Sequence, residues 1–92
     1  MQLEGTNFQI AVWEELLKIP IGETTTYKNI AIAIGKPNSS RAVANACAQN
    51  PYAPEVPCHR VIRSDGSLGG YSADGGIQRK KKLLAMESNL LK

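Results

Sequence analysis

Apolar residues recur at helical spacing near the start of the chain. The row from Phe8 to Leu16 repeats every four residues, which predicts a helix over 7–18. Thr6 is followed three residues later by Gln9, the arrangement of a capping box at a helix start. The proline and glycine that follow end this helix. The first element is therefore an amphipathic helix with a defined beginning.

Two shorter helices are predicted next. Three threonines at 24–26 favour extended chain and then an N-cap, and the apolar spacing predicts helices over 27–34 and 40–49. The connection at 35–38, Gly-Lys-Pro-Asn, gives the pair the form of a helix-turn-helix. Turns of this length also join helices in proteins that never touch DNA, so the spacing leaves DNA binding open.

The second half of the chain is less regular. Three prolines between 51 and 57 make a stiff loop, because each fixes its own φ and restrains the residue before it. Alternation at 59–63, a turn, and a return at 68–71 predict a small β hairpin, and a last helix follows over 77–88. The predicted fold is mainly α with a small β hairpin, a winged helix-turn-helix-like single domain over 1–92.

Composition agrees with one ordered globular domain. Hydrophobic residues make up 42% of the chain and charged residues 21%, and the net charge is +3, which permits nucleic-acid binding without demanding it. Two cysteines and a polar N-terminus suggest a reducing, cytoplasmic setting, or a nuclear one in a eukaryote. No apolar run predicts a membrane span, and we expect a monomer. The basic run at 79–82 favours a solvated helix face, although it could also serve phosphates.

A thiol beside an imidazole marks the candidate chemistry. Cys58 follows Pro57 and precedes His59, and a thiol becomes a strong nucleophile when a neighbouring base takes its proton. Extended chain here would place the two side chains on opposite faces, out of direct contact, but one water could bridge them if the chain bends at Pro57. A buried structural cysteine fits the same residues.

Other cysteine chemistry is disfavoured. Cys47, Cys58 and His59 match no common zinc spacing, and a disulfide between the cysteines is not expected in a reducing compartment. Cys47 and Trp13 are predicted to be core residues.

The third helix carries four alanines between 41 and 49. A helix that reads the major groove normally presents several long polar side chains. Small side chains would suit a narrow groove or tight packing on another helix, and both alternatives stay open. Arg41 is the long cation, able to reach phosphates or enter a base stack.

Together these residues resemble the catalytic C-terminal domain of the O6-alkylguanine-DNA alkyltransferases, the methylated-DNA–protein-cysteine methyltransferases. The resemblance runs over about 8–87. It rests on the active-site signature at 57–61, Pro-Cys-His-Arg-Val, and on further motifs in the same order and at similar spacing: Gly22-Glu23, Thr26-Tyr27, Arg41-Ala42-Val43, Asn50-Pro51, Gly69-Gly70-Tyr71 and Leu83-Leu84-Ala85-Met86-Glu87.

The resemblance implies a catalytic set. Cys58 would take the alkyl group from O6-alkylguanine in a single displacement, after His59 removes its proton through a water. Glu87 would orient His59, as a carboxylate does in a catalytic triad. Asn50 would hold the turn around the site, and Tyr27 would offset charge on the leaving guanine. The thioether product makes each molecule react once, with no cofactor and no metal.

The resemblance also implies a partner, double-stranded DNA containing O6-alkylguanine, bound in the minor groove with the damaged base flipped out. The implied DNA-binding residues are Arg41, Tyr27, Ala42 and Asn45. Those implied for the guanine pocket are Val61, Ser72, Tyr71 and Pro57, with backbone carbonyls of Cys58 and Val61 on the exocyclic amine and Ser72 donating toward O6.

Two departures qualify the resemblance. Full-length relatives usually carry a further N-terminal domain, which does not precede the match in this sequence. The chain is therefore either a naturally short member or a cut fragment, and we expect the short member. The loop at 71–76 is a residue or two longer than the family pattern, which affects Ser72. Two rival hypotheses remain: an alkyltransferase-like sensor that binds the lesion without transfer and recruits another repair pathway, and a winged-helix regulator with an inert Cys58.

Overall fold

The computed structural model describes residues 2–53, 55–69 and 76–90, with the side chain of residue 90 excluded. The described part is mostly helical. Its elements in chain order are α1 (Asn7–Leu16), β1 (Thr25–Thr26), α2 (Tyr27–Ala33), α3 (Ser40–Ala48), a 3₁₀ turn (Cys58–Arg60), β2 (Val61–Ile62) and α4 (Gly76–Leu90).

The first helix begins as its sequence predicts. The Gln9 amide N–H donates to Thr6 Oγ1 over 3.1 Å, and the Thr6 N–H donates to Gln9 Oε1 over 2.9 Å, which completes the capping box. The helix ends at Leu16, two residues earlier than predicted. The Ile19 N–H bonds the Leu16 carbonyl over only three residues, so the chain tightens before it reaches the proline.

The second and third helices confirm the predicted helix-turn-helix, each to within one residue. Thr26 caps α2 by accepting a 3.0 Å hydrogen bond from the Asn29 N–H. At its other end Gly35 has φ +78°. The Gly35 and Lys36 N–H groups donate to the carbonyls of Ile32 and Ala31, the bonds of a Schellman motif.

The core lies among these three helices. Buried apolar residues come from α1 (Val12, Trp13, Leu16), α2 (Ile30, Ala31), α3 (Val43, Ala46, Cys47) and the later loop and strand (Val56, Cys58, Val61). Trp13 donates its indole N–H to the Ala46 carbonyl over 3.0 Å and meets the edge of Tyr52 with ring centroids 5.7 Å apart. The predicted core positions of Trp13 and Cys47 are confirmed.

The small two-stranded sheet of the described residues is not formed as the predicted hairpin, and the last two residues of the predicted return, 70–71, lie outside the described residues. In the described residues β2 pairs with β1 in parallel, with Thr25 opposite Val61. The chain does turn tightly at 63–67, where Arg63 and Ser67 share a 2.9 Å backbone bond. Leu68 and Gly69 nevertheless form no strand. The extended threonines before α2 already offer β2 a pairing edge, which local alternation could not reveal.

The residues of the basic run at 79–82 differ in their exposure to solvent. Arg79, Lys81 and Lys82 are exposed, as a solvated face requires. Lys80 is fully buried, so that interpretation is wrong for this residue. Its position accords with the burial, because Lys80 lies three residues before Leu83 and four before Leu84, which are both partly buried.

Replacing Gly35 tests the turn of the helix-turn-helix. We expect Gly35→Ala to lower the free energy of unfolding by about 1–2 kcal/mol, because a Cβ disfavours positive φ. Gly35→Asn should lose less, since asparagine tolerates this conformation. Urea unfolding measures both. A Gly35→Ala protein at least as stable as the parent contradicts the left-handed turn, since nothing lies within 4 Å of the added Cβ.

Candidate active site and nucleic-acid interface

Cys58 is set by a sharp bend. Pro57 has φ −83° and ψ 66°, and the Cys58 N–H donates to the Val56 carbonyl over 2.8 Å, which is an inverse γ-turn. The Arg60 N–H then bonds the Pro57 carbonyl over 3.0 Å. The predicted strand at 59–63 is therefore wrong at its start. A 3₁₀ turn spaces successive side chains by about a third of a rotation, so Cys58 and His59 do not point to opposite faces.

Glu87 binds the two residues that follow the cysteine. Its Oε2 lies 2.7 Å from His59 Nε2. Arg60 donates two hydrogen bonds to the same carboxylate, from Nε to Oε1 over 2.8 Å and from Nη2 to Oε2 over 2.7 Å. A third Arg60 nitrogen donates to the Ile19 carbonyl over 2.8 Å. The sequence assigned no role to Arg60, although it lies inside the signature.

The Arg60 guanidinium holds the pKa of Glu87 down at about 2, with the His59 bond adding to the effect against the cost of burial. Glu87 is therefore ionised at every pH at which the protein would work. An ionised carboxylate accepts the Nε2 hydrogen of His59 and fixes the ring. The structure places His59 and Glu87 together as the family pattern implies.

The thiol itself is buried, with 6% of Cys58 exposed. Burial raises the pKa of Cys58, while a hydrogen bond from the Asn50 side chain and the positive charge of Lys80 oppose the rise. His59 Nδ1 is also buried and has no hydrogen-bond partner in the described part of the chain. A neutral ring that donates through Nε2 carries a lone pair at Nδ1, which suits it to accept a proton.

Asn50 spans the loop that delivers the cysteine. Its Nδ2 donates to the Val56 carbonyl over 2.8 Å, and its Oδ1 accepts from the Tyr52 N–H over 2.8 Å. The amide thus connects both ends of the proline-rich segment just before Pro57. This is the position that the family pattern implies for it.

Tyr27 lies half-buried between the core and an outer groove. Burial raises the pKa of Tyr27 to about 12, so its hydroxyl keeps its proton and can donate. Gly69, with φ +71°, passes so close that a Cβ there would lie 3.0 Å from the Tyr27 oxygen. A larger residue at 69 would push on the tyrosine.

The outer groove is basic. An open depression of about 300 Å³ is lined by Tyr27, Lys28, Ser40, Arg41, Ala44, Arg63 and Ser64. The predicted DNA-binding residues Arg41, Ala42 and Asn45 are exposed on α3. Lys28 and Arg63 were not predicted. Only the pairing of β1 with β2 brings the regions that carry them to the same groove.

The predicted guanine-pocket residues are partly described. Pro57 and Val61 are buried, and the Val61 carbonyl accepts a 2.7 Å hydrogen bond from Lys80. Tyr71 and Ser72 lie outside the described residues. Lys80 was missed, and the signal that could have found it is its place in the apolar row of α4.

Cys47 and Cys58, both within the described residues, are free thiols. No group of three or more His, Cys, Asp or Glu side chains is placed to hold a metal ion within 2–53, 55–69 and 76–90. No helix in this part of the chain has the length and apolar character needed to cross a membrane.

A family model describing the DNA binding domain of 6-O-methylguanine DNA methyltransferase matches residues 7–89. The chain belongs to this family. It is 54% identical over 89 residues to a methylated-DNA–protein-cysteine methyltransferase of Methanosarcina barkeri, with 97% of this chain and 55% of the relative covered. The chain thus spans about half the length of this relative, and it covers 24% of the bifunctional transcriptional activator/DNA repair enzyme Ada of Escherichia coli, to which it is 51% identical.

Solved structures of the family share the fold. The crystal structure of Mycobacterium tuberculosis OGT in complex with DNA superposes with a TM-score of 0.91 at 52% identity, covering 96% of this chain and 53% of that one. Schizosaccharomyces pombe Atl1, in complex with damaged DNA containing O6-carboxymethylguanine, superposes with a TM-score of 0.80 at 33% identity, covering 92% of this chain and 79% of that one.

Glu87→Gln tests the carboxylate that joins His59 and Arg60. Since its folded pKa lies below the ordinary 4.5, the carboxylate stabilises the protein above that pH and loses the effect as pH falls toward 2. We expect the variant to lose roughly 1–3 kcal/mol of unfolding free energy at neutral pH and the difference from wild type to shrink in acid.

Urea unfolding of both proteins from neutral pH to pH 3 measures that difference. Glu14→Gln, at an exposed position on α1, is the matched control and should follow wild type throughout. A Glu87→Gln difference that is constant with pH contradicts a stabilising role for the charge.

Proposed function

We propose that this chain is the catalytic domain of an O6-alkylguanine-DNA alkyltransferase and transfers an alkyl group from guanine irreversibly to Cys58. The domain would bind duplex DNA, rotate the damaged nucleotide out of the stack, and react once per molecule. Family membership supports the class of protein. The side chains around Cys58 support transfer as its activity.

The observation that carries the proposal is the state of His59. Nε2 is occupied by an ionised Glu87 at 2.7 Å, and Nδ1 is buried and has no partner among the described residues. A buried nitrogen of this kind normally has a partner. We infer that one water joins Nδ1 to the Cys58 thiol, so that His59 can act as the base.

The proposed reaction is a single displacement at the alkyl carbon. The thiol proton passes through the water to His59, and the sulfur forms a bond to the alkyl carbon while the carbon–O6 bond breaks. The electron pair of that bond goes to the guanine, whose negative charge a protonated Tyr27 can meet with a hydrogen bond. Because burial raises the pKa of Cys58, proton removal belongs to the reaction and is not complete beforehand.

The outer groove is the proposed site of DNA binding. Lys28, Arg41 and Arg63 give the groove three cations that can meet phosphates. Ala42 and Ala44 keep the outer face of α3 low, which suits a minor groove only about 6 Å wide. Arg41 would fill the space left by the flipped nucleotide, and Tyr27 would crowd the phosphate beside it.

Lesion sensing without transfer is the second candidate function. The 33% identity to Atl1, a structure solved with O6-carboxymethylguanine in DNA, supports it. Cys58 lies beside His59, the candidate base, and within a buried hydrogen-bond network. These features favour transfer. A regulator without lesion preference is the third outcome that the following experiment separates.

Incubation with duplex DNA containing O6-methylguanine tests the transfer. We expect an intact protein mass increased by one methylene unit, located on Cys58 by peptide mapping. Cys58→Ala should gain nothing and still bind the lesion duplex, because it keeps the groove. Cys47→Ala is the matched control and should still be methylated.

The alternatives give different results in the same assay. Wild type that prefers the lesion duplex but keeps its mass indicates a sensor. Wild type that binds lesion and undamaged duplex equally, without a mass change, indicates a regulator. Either result rejects transfer by Cys58.

Arg41→Ala tests the nucleotide-flipping role. Flipping costs a few kcal/mol, so losing the residue that stabilises the flipped state should slow repair of duplex DNA roughly tenfold or more. Reaction with free O6-benzylguanine, which needs no flipping, should change little. Arg79→Ala, an exposed arginine on α4, is the control. Equal loss on both substrates assigns Arg41 to the fold instead.

A further inference from the structure

Lys80 is a cation enclosed by protein. Its relative exposure is 0%, although lysine is almost never fully buried unless its ammonium has partners. The ammonium donates to the Val61 carbonyl over 2.7 Å and to the Leu68 carbonyl. These bonds join α4 to β2 and to the chain beyond the turn at 63–67. The ammonium is therefore fixed in position.

The surroundings of Lys80 belong to the active site. Its Nζ lies 6.0 Å from the centre of the Tyr27 ring, at the outer limit of a cation–π contact. One of its carbonyl partners is Val61, three residues after the cysteine. The charge of Lys80 favours the ionised form of Cys58, and Cys58 in turn favours the charged form of Lys80.

We propose that Lys80 is a positioning residue for the thiol chemistry: its buried ammonium, held by the carbonyls of Val61 and Leu68, stabilises the Cys58 thiolate as the proton leaves. The inference deepens the proposed function and rests on it. It assigns a role to Lys80, the one side chain of the basic run at 79–82 that is buried.

The charge is needed because the thiolate forms where water is scarce. Cys58 is buried, and burial disfavours a bare negative charge. His59 becomes positively charged when it takes the thiol proton. The ionised Glu87 carboxylate, which His59 contacts, offsets that charge. Arg60 is likewise engaged by Glu87. Lys80, by contrast, donates to the carbonyls of Val61 and Leu68.

Other titratable groups lie around Lys80 and Cys58 and affect how readily these two residues ionise. Cys47 on α3 acts on both Lys80 and Cys58, and Arg63 after β2 lowers the pKa of Lys80. Tyr27 on α2 keeps its proton and stays neutral. Replacing Cys47 by alanine removes one of these groups, so the tests use the Cys47→Ala protein as parent.

The first test measures the rate of Cys58 alkylation by iodoacetamide as a function of pH. The thiolate sulfur forms the bond to carbon and iodide leaves, so the rate follows the ionised fraction up to a plateau. Peptide masses assign the product to Cys58. Lys80→Met removes the charge at similar length, and Lys80→Arg keeps it.

We expect Lys80→Met to raise the midpoint of the profile by about one pH unit, which makes alkylation about tenfold slower at neutral pH with an unchanged plateau. Lys80→Arg should restore most of the midpoint. A purely structural lysine predicts a lower plateau with the parent's midpoint, and that result overturns the proposal.

A second measurement needs no change at Lys80 and so does not depend on whether its variants fold. Coupling between two titrating groups is reciprocal. Cys58→Ser removes the ionisable thiol, so the pKa of Lys80, followed by nuclear magnetic resonance of its side chain, should fall relative to the parent. An unchanged Lys80 pKa overturns the proposal.

Neither test uses alkylated DNA, so the two proposals fail separately. A protein that shows the midpoint shift but takes no methyl group from O6-methylguanine disproves the transfer alone. A protein that is methylated on Cys58 but shows no coupling to Lys80 disproves the role of the lysine alone.

Discussion

The site depends on one carboxylate, Glu87, which holds two consecutive side chains of the 3₁₀ turn. His59 and Arg60 reach it from the segment that carries Cys58, and Arg60 extends the link to the carbonyl of Ile19 beyond α1. Three parts of the chain are thereby fixed to one another around a charge that remains ionised. A charge-assisted, two-pronged arginine contact is among the strongest hydrogen-bonded arrangements available to a protein. It lets the imidazole keep one ring nitrogen for chemistry while the other is held.

The third helix separates core packing from recognition by using small residues on both sides. Val43, Ala46 and Cys47 face inward, where Ala46 also accepts the indole hydrogen of Trp13. Arg41, Ala42 and Asn45 face outward. Tight packing, one of the two explanations that the alanines allowed, therefore holds at Ala46, while Ala42 leaves a small side chain on the exposed side of the helix. Packing α3 closely on α1 also brings Asn50, just beyond its end, to the loop before Cys58.

The thiol lies in an environment of opposing effects. Burial protects it and raises its pKa, while the Asn50 amide and the Lys80 ammonium act the other way. Burial also protects the thiol from electrophiles, because a protonated thiol reacts slowly with them. Fixed dipoles and charges can stabilise the negative charge when it forms, without having to reorient. The proline-rich loop and the inverse γ-turn at Pro57 hold the sulfur among them.

By itself the sequence determined the local elements and the chemical signature. The capping box at Thr6, the glycine that ends α2 and the apolar spacing placed three helices to within two residues, because each signal acts over four or five positions. The motif at 57–61 identified the thiol and its neighbour. Only the tertiary structure decided the parallel pairing of β1 with β2, the burial of Lys80 and the contact of Arg60 with a carboxylate 27 residues away. Those contacts join segments far apart in the chain, and their free energy comes from the packing that brings the segments together, which no local pattern encodes.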